Sequence, residues 1–332
     1  LSAATPHSSL SDAFVALPKA ELHVHLEGSL QPGTVCALAK RHGVDITPEE
    51  VRARYAYDDF LGFIETFKWV SSFLREPADF ATALNDLGEQ LLAQNVVYAE
   101  ITLSVGVMLL RQQSADKNFE AMALVAEKFL QRGLKLHFIF DAVRQFGADA
   151  AMEVVEAAGR CGSNLIVAFG VGGDELSAPA GEFRGVYERA TALGLHRLMH
   201  AGEIGGPEEI RGSIELLGVE RIGHGIAAMH DAALMDLLVE RRIPLEVCPQ
   251  SNVRTGALAK QLGIAEAGVE QHPLPLLVRR GIPVVLSTDD PTMFHTTLLG
   301  EYENARRMGL SEAELGKIVE AGFTYAFAPG IS

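Results

Sequence analysis

A (β/α)8 barrel in one domain (a TIM barrel), with extra helices inserted after its first strand, is the α/β fold that this 332-residue sequence predicts. Three features point to it. Eight short apolar segments rich in Val, Ile and Leu recur along the chain, longer helix-patterned stretches separate them, and polar residues gather at the ends of several segments. Repeated strand–helix alternation buries parallel strands inside a ring of helices. An open doubly wound sheet is the competing arrangement on the alternation alone.

The opening "LSAATPHSSLSDA" has no basic region followed by an apolar run, so it is not read as a signal peptide, and residues 1–15 are expected to be a loose tail. The first strand is "AELHVHL" (20–26). Residues 27–95 are too long for one crossover helix and hold three or four. "PGTVCALAKRHG" has Pro32 near its start and Gly43 just past its end. "TPEEV" sets Thr47 and Glu50 as a reciprocal cap, and "SEAEL" at 311–315 repeats the device with Ser311 and Glu314. In "DDFLGFIETFKWVSSFL" (58–74), Phe60, Phe63 and Phe67 share a face, either as barrel-packing core or as an apolar lid over a pocket.

The remaining strands are "VVYAEI" (96–101), "LKLHFIF" (134–140), "LIVAFGV" (165–171), "HRLMH" (196–200), "RIGHG" (221–225), "IPLEVCP" (243–249) and "IPVVLSTDD" (282–290). Amphipathic stretches at 118–133 and 231–242 are two of the intervening helices. The whole chain, 1–332, reads as one domain.

Composition narrows the partners. A net charge of −15 argues against nucleic-acid polymers and anionic membranes, which reward positive charge, but leaves small nucleotide-like substrates open. No run reaches the roughly 18 apolar residues of a membrane span. Cys36, Cys161 and Cys248 form no CxxC and no disulfide framework, so a cytoplasmic location is expected. Self-association into a homo-oligomer stays open.

Side chains two apart on a strand face the same way, so His23 and His25 point together. Two buried imidazoles need partners, and this spacing offers half of a zinc site. His200 ends the fifth strand and Asp289 falls at the end of the eighth. In a barrel all four converge on the catalytic rim, and three imidazoles plus one carboxylate suit one Zn²⁺ with a position left for water. Glu203 lies three residues beyond His200 across "AG", close to substrate but off the metal, as a general acid–base requires. His224, between two glycines, is placed to orient or deprotonate the water, or to hold a carboxylate. Asp290 reads as a substrate-facing acceptor fixed by Pro291.

The motifs "ELHVHLEGS", "HAGE", "RIGHG", "CPQSN" and "LSTDDP", in this order and spacing, closely resemble the adenosine deaminase family of the amidohydrolase superfamily, from about residue 17 to the end. The resemblance implies a zinc-dependent (β/α)8 barrel with His23, His25, His200 and Asp289 on one zinc ion. It implies that Glu203 protonates ring nitrogen N1, that His224 positions or deprotonates the attacking water, that Asp290 accepts near N7, and that Gly173 donates its N–H to N3. The expected reaction is hydrolytic removal of the 6-amino group of an adenine-bearing small molecule. The other zinc-deaminase architecture is excluded, because HxE followed by PCxxC is missing.

The family acts on several aminopurines. Adenosine enzymes commonly carry "HLDG" where this chain has Glu27, and an Asp where it has Gly170. Glu27 keeps an acceptor for a sugar hydroxyl, and "GGDE" (172–175) keeps a nucleoside-like form; the pocket segments supply Glu27, Asp174 and Glu175 without a cation for phosphate. The expected order is adenosine or deoxyadenosine, then 6-amino-6-deoxyfutalosine, then adenine. A catalytically inactive barrel acting as a binding protein would lack a ligand or Glu203, and all are present. No GxSxG elbow supports Ser29, Ser251 or Ser287 as a nucleophile. His137 reads as hydrogen-bonded on a strand, His230 as helix-start polarity, and His272 and His295 as loop residues without ligand spacing.

Overall fold

Eight parallel strands hydrogen-bond in sequence order: β1 (Lys19–His25), β2 (Val96–Leu103), β3 (Lys135–Val143), β4 (Ile166–Gly172), β5 (His196–Ala201), β6 (Arg221–His224), β7 (Leu245–Val247) and β8 (Val284–Leu286). The computed structural model that shows them describes residues 9–57 and 60–328. The ring closes beyond β8, where the Asp289 N–H donates to the His23 carbonyl at 2.9 Å and the His25 N–H to the Asp289 carbonyl at 2.7 Å. All eight expected strands are present. The last two are shorter than expected, because Pro244 and Pro283 remove a ladder donor just before them and "CPQS" turns into the helix Pro249–Arg254.

Short local signals set the helices. Four described α-helices lie between β1 and β2, where three or four are expected. After α1 (Asp12–Val15) they are α2 (Pro32–Arg41), α3 (Pro48–Tyr55), α4 (Phe60–Ser71) and α5 (Pro77–Leu92). Thr47 and Glu50 form the expected box on α3, and Ser311 and Glu314 form it on the helix Glu312–Thr324. Each such cap is worth about 1 kcal/mol. Between the strands and their helices lies a continuous apolar layer that includes Phe138, Phe140, Phe169 and Tyr187, all fully buried. Each contributes about 1.5–3 kcal/mol of burial.

The segment expected to be loose is packed from Leu10 onward. The Leu10 N–H donates to Glu303, Ser11 caps α1 and bonds Glu312, and Phe14 is buried edge-on to Tyr302. An apolar anchor overrides the polar composition there; residues 1–8 lie outside those described. Residues 58 and 59 of the aromatic stretch do too. In α4, Phe63 is core, with its ring 4.9 Å from Phe294, whereas Phe60 is 45% exposed. No described helix is long and apolar enough to cross a membrane.

At the N-terminal end of the barrel, residues 325–328 form a floor. Arg221 donates to the Tyr325 carbonyl, the Phe327 N–H donates to Glu100, and the Phe327 ring stacks on His196 and under the Arg221 guanidinium.

Candidate metal centre and active site

Strand geometry delivers the imidazoles. Glu21, His23 and His25 alternate along β1 and share its inward face. The rings of His23 and His200 are 4.6 Å apart, and His25 lies 5.6 Å from His200. The ligand atoms of His23, His25 and Asp289 lie within 4.8 Å of one another, as do those of His23, His200 and His224. Asp289 Oδ1 is 3.3 Å from His25 Nε2 and 3.7 Å from His23 Nε2. Asp289 sits past the end of β8 with φ +64°, so the strand is already broken, and its Oδ2 accepts from Ser251 Oγ at 2.6 Å.

Two glycines make the room. A Cβ on Gly223 would stand 3.0 Å from His23 Cε1 and 3.4 Å from His200 Cγ. A Cβ on Gly28 would land 1.7 Å from Asp290 Oδ1, so that position admits no side chain.

The donor set fits a metal. His23 Nε2 is buried with no hydrogen-bond partner among the described residues, an arrangement that costs free energy unless something occupies its lone pair. Its Nδ1 is bonded to Glu246 Oε2 at 2.8 Å, which places the proton on Nδ1 and leaves Nε2 free to ligate. Burial, before any charge, pushes His25 down to about 4, so it is neutral and ligand-ready at pH 7. Three imidazoles and a carboxylate suit zinc. The cluster is a site for a single catalytic zinc ion.

Behind the cluster runs a polar relay. Glu246 Oε1 accepts from Arg221 Nε at 2.6 Å, and Arg221 Nη2 donates to Glu100 Oε2 at 2.6 Å, all nearly or fully buried. On the other side, fully buried Arg144 donates to the carbonyls of His200, Glu175 and Ala178 and to Glu209. It ties the β5 end to the β4 loop.

Glu203 follows the turn made by Gly202, whose φ is +70°. Its carboxyl faces His224, with Oε2 3.6 Å from Nε2, and accepts from Thr255 Oγ1 at 3.3 Å. Burial, then the Asp289 and Glu175 carboxylates, push it up to about 8. Burial likewise lowers His224 to about 3. Asp290 is buried, and burial followed by the Asp289 charge holds its carboxyl well above the usual range. Glu27 is buried, accepts from the Ser104 N–H at 3.1 Å, and leaves Oε2 without a partner among the described residues. Gly173 has φ +98°, and a Cβ there would meet Gln145 Oε1 at 2.5 Å.

Some sequence expectations change. Glu175, counted among the pocket acids, instead accepts the backbone N–H groups of Ile204 and Gly205 and so cups the Glu203 loop. His137 Nδ1 is buried without a hydrogen bond among the described residues and lies beside the Tyr98 ring. His272 lies between helices, as expected, and is buried with its ring bonded to Asn252. Asp141, near the end of β3, has no place among the sequence motifs; burial pushes it to about 8, and its Oδ1 has no partner among the described residues. Its signal was an acid in an apolar strand, "FIFDAV".

A family model described as adenosine deaminase matches residues 18–330. The chain is 36% identical over 337 residues to an aminodeoxyfutalosine deaminase of Streptomyces coelicolor, covering 96% of this chain and 83% of that one. It is 33% identical over 322 residues to an adenine deaminase of the same organism, covering 95% and 92%. Its fold is similar to the crystal structure of adenine deaminase from Arthrobacter aurescens, with a TM-score of 0.87, 30% identity and 94% of each chain covered.

Proposed function

The chain belongs to the adenosine deaminase family, and on that premise we propose that its substrate is 6-amino-6-deoxyfutalosine. It is a hydrolytic, metal-dependent deaminase acting on an adenine-type ring. The observation that carries the finer reading is the similarity, at 34–36% identity, to three aminodeoxyfutalosine deaminases over 94–97% of the chain. Adenosine, ranked first from the glycine-rich segment, loses that place. Adenine is the second reading, favoured by relatives at 31–33% identity and by the Arthrobacter fold. Glu27, buried with a free Oε2, supports a substrate that carries a sugar hydroxyl beside the ring.

In the reaction, water oxygen replaces the amino group at C6 and ammonia leaves. His23, His25, His200 and Asp289 hold the zinc. Bound there, zinc supplies the Lewis acidity that makes water nucleophilic near neutral pH. Glu203, protonated by its buried setting, delivers a proton to N1, which draws electron demand onto C6. His224 faces the same space from β6 and orients the water. Purine N7 carries a lone pair, so Asp290 must donate to it as a carboxylic acid, in place of the acceptor role expected from sequence; its raised pKa supports that form. Gly173 offers its N–H to N3. Asp141 stands at the same rim with an unpaired acceptor.

The test is ammonia release by zinc-loaded protein over aminodeoxyfutalosine, adenine, adenosine and deoxyadenosine. The highest kcat/KM is expected on aminodeoxyfutalosine; a higher value on adenosine or adenine overturns the substrate assignment.

A further inference from the structure

We propose that Asn252 and His272 are positioning residues that lock His224 in the tautomer with its proton on Nε2. The starting point is one group that can only donate. The backbone N–H of Leu274 lies 3.1 Å from His272 Nδ1, so Nδ1 accepts. Neutral His272 then carries its proton on Nε2, and burial, which pushes its pKa down to about 3, keeps it neutral. Nε2 is 3.2 Å from Asn252 Oδ1, to which it donates. That fixes the amide, and its Nδ2 faces His224 Nδ1 at 3.1 Å and donates to it. The same Nδ2 lies 3.5 Å from Glu203 Oε1. His224 Nδ1 therefore accepts, and its proton sits on Nε2. Every choice of amide and ring orientation follows from the Leu274 N–H.

His224 Nε2 points into the site, 3.6 Å from Glu203 Oε2 and 3.9 Å from Asp289 Oδ2. Its backbone is held at φ +61°, a conformation that is unfavourable for a non-glycine residue and persists where contacts over-determine it. The relay supplies such contacts from the helix Pro249–Arg254 and from the start of the helix Leu274–Arg280. The consequence for catalysis rests on the deaminase reading; the tautomer does not. At rest His224 presents a donor to the reacting water, so it orients the oxygen and does not take the water's proton at Nε2. That proton passes to Glu203 or to solvent.

The experiment is a long-range proton–nitrogen NMR correlation on zinc-loaded protein labelled with nitrogen-15 at histidine, with the His224 signals assigned by their loss in His224→Asn. The expected result is a protonated Nε2 and an unprotonated Nδ1 on His224. Asn252→Asp presents only acceptors to both rings and should place a proton on Nδ1, with kcat lower by about 10²–10⁴-fold, the scale of a wrong tautomer in other His-dependent sites. His272→Gln, whose amide can accept from Leu274 and donate to Asn252, should retain most of kcat. His272→Leu should lose about ten- to a hundredfold with KM little changed. A wild-type His224 protonated on Nδ1, or an Asn252→Asp protein whose Nδ1 stays unprotonated, overturns the proposal. Because the nuclear signals are read without substrate, that outcome is separate from any failure of the substrate assignment.

Discussion

Replacing Arg221 by Met tests whether the barrel floor and the metal centre are one unit. Arg221 is 1% exposed and bonds Glu246 and Glu100 at 2.6 Å each and the Tyr325 carbonyl at 2.9 Å. Met keeps much of the volume and removes the guanidinium that bridges two buried carboxylates. Breaking one partner out of a buried ionic cluster costs about 3–5 kcal/mol, a large share of the roughly 5–15 kcal/mol that a domain has. Glu246 also holds the Nδ1 proton of His23, so its release should let that imidazole turn and weaken zinc binding by about 10–100-fold. Stability should be read by urea unfolding of the zinc-free protein, because bound metal adds its own stabilisation. Zinc affinity should be read separately by competition with a chromogenic chelator. A stability loss with unchanged zinc affinity would refute the link between floor and metal; a loss under about 1 kcal/mol would refute the buried ionic cluster itself.

Glu203→Gln keeps shape but cannot cycle a proton, so zinc content should hold while kcat falls by about 10²–10⁴-fold with little change in KM; retention of a tenth of kcat would remove Glu203 from the acid role. Gly223→Ala puts a methyl 3.0 Å from His23 Cε1, so zinc affinity in the chelator assay should drop about tenfold with the fold intact, and unchanged affinity would show that the ring can move aside. Asp79 is buried between Arg41, His42 and the N–H groups of Arg75 and Glu76. Burial alone would raise its pKa, but these hydrogen bonds outweigh it and hold it low. Its contribution is complete above the unfolded pKa of about 3.9 and is lost as pH falls through the lower native value. Asp79→Asn should therefore cost about 1.5–3 kcal/mol at pH 7, with the difference from wild type shrinking below pH ~4; a constant difference across that range would contradict the linkage.

The fold was readable because most strands are short Val/Ile/Leu runs and α2, α3 and α5 each open on a proline, with a capping box on α3, signals that lie within ten residues of one another. The metal cluster was readable because His23 and His25 sit two apart on one strand, and His200 and Asp289 mark strand ends. What surrounds the cluster was not. Glu246 is 223 residues from His23, and Arg221 is 121 residues from Glu100, so no local spacing announces either pair. His272 has no ligand spacing because it serves an amide instead of a metal. Glu175 reads as a pocket acid from sequence because its place in "GGDE" shows where it lies along the chain but not which way its carboxylate turns. Of the expected tail, the described part from Leu10 onward is packed. One buried ring, Phe14, outweighs the Ser-rich composition around it.

Titration of zinc-free protein with zinc, following ammonia release from the adenine-type substrate and bound metal together, tests the deaminase account most directly. Activity should be near zero without metal, rise in proportion to zinc, and break at one ion per chain, with His25→Ala showing neither tight binding nor activity. Full activity in the metal-free protein, or a rise that continues to two ions per chain, would contradict it.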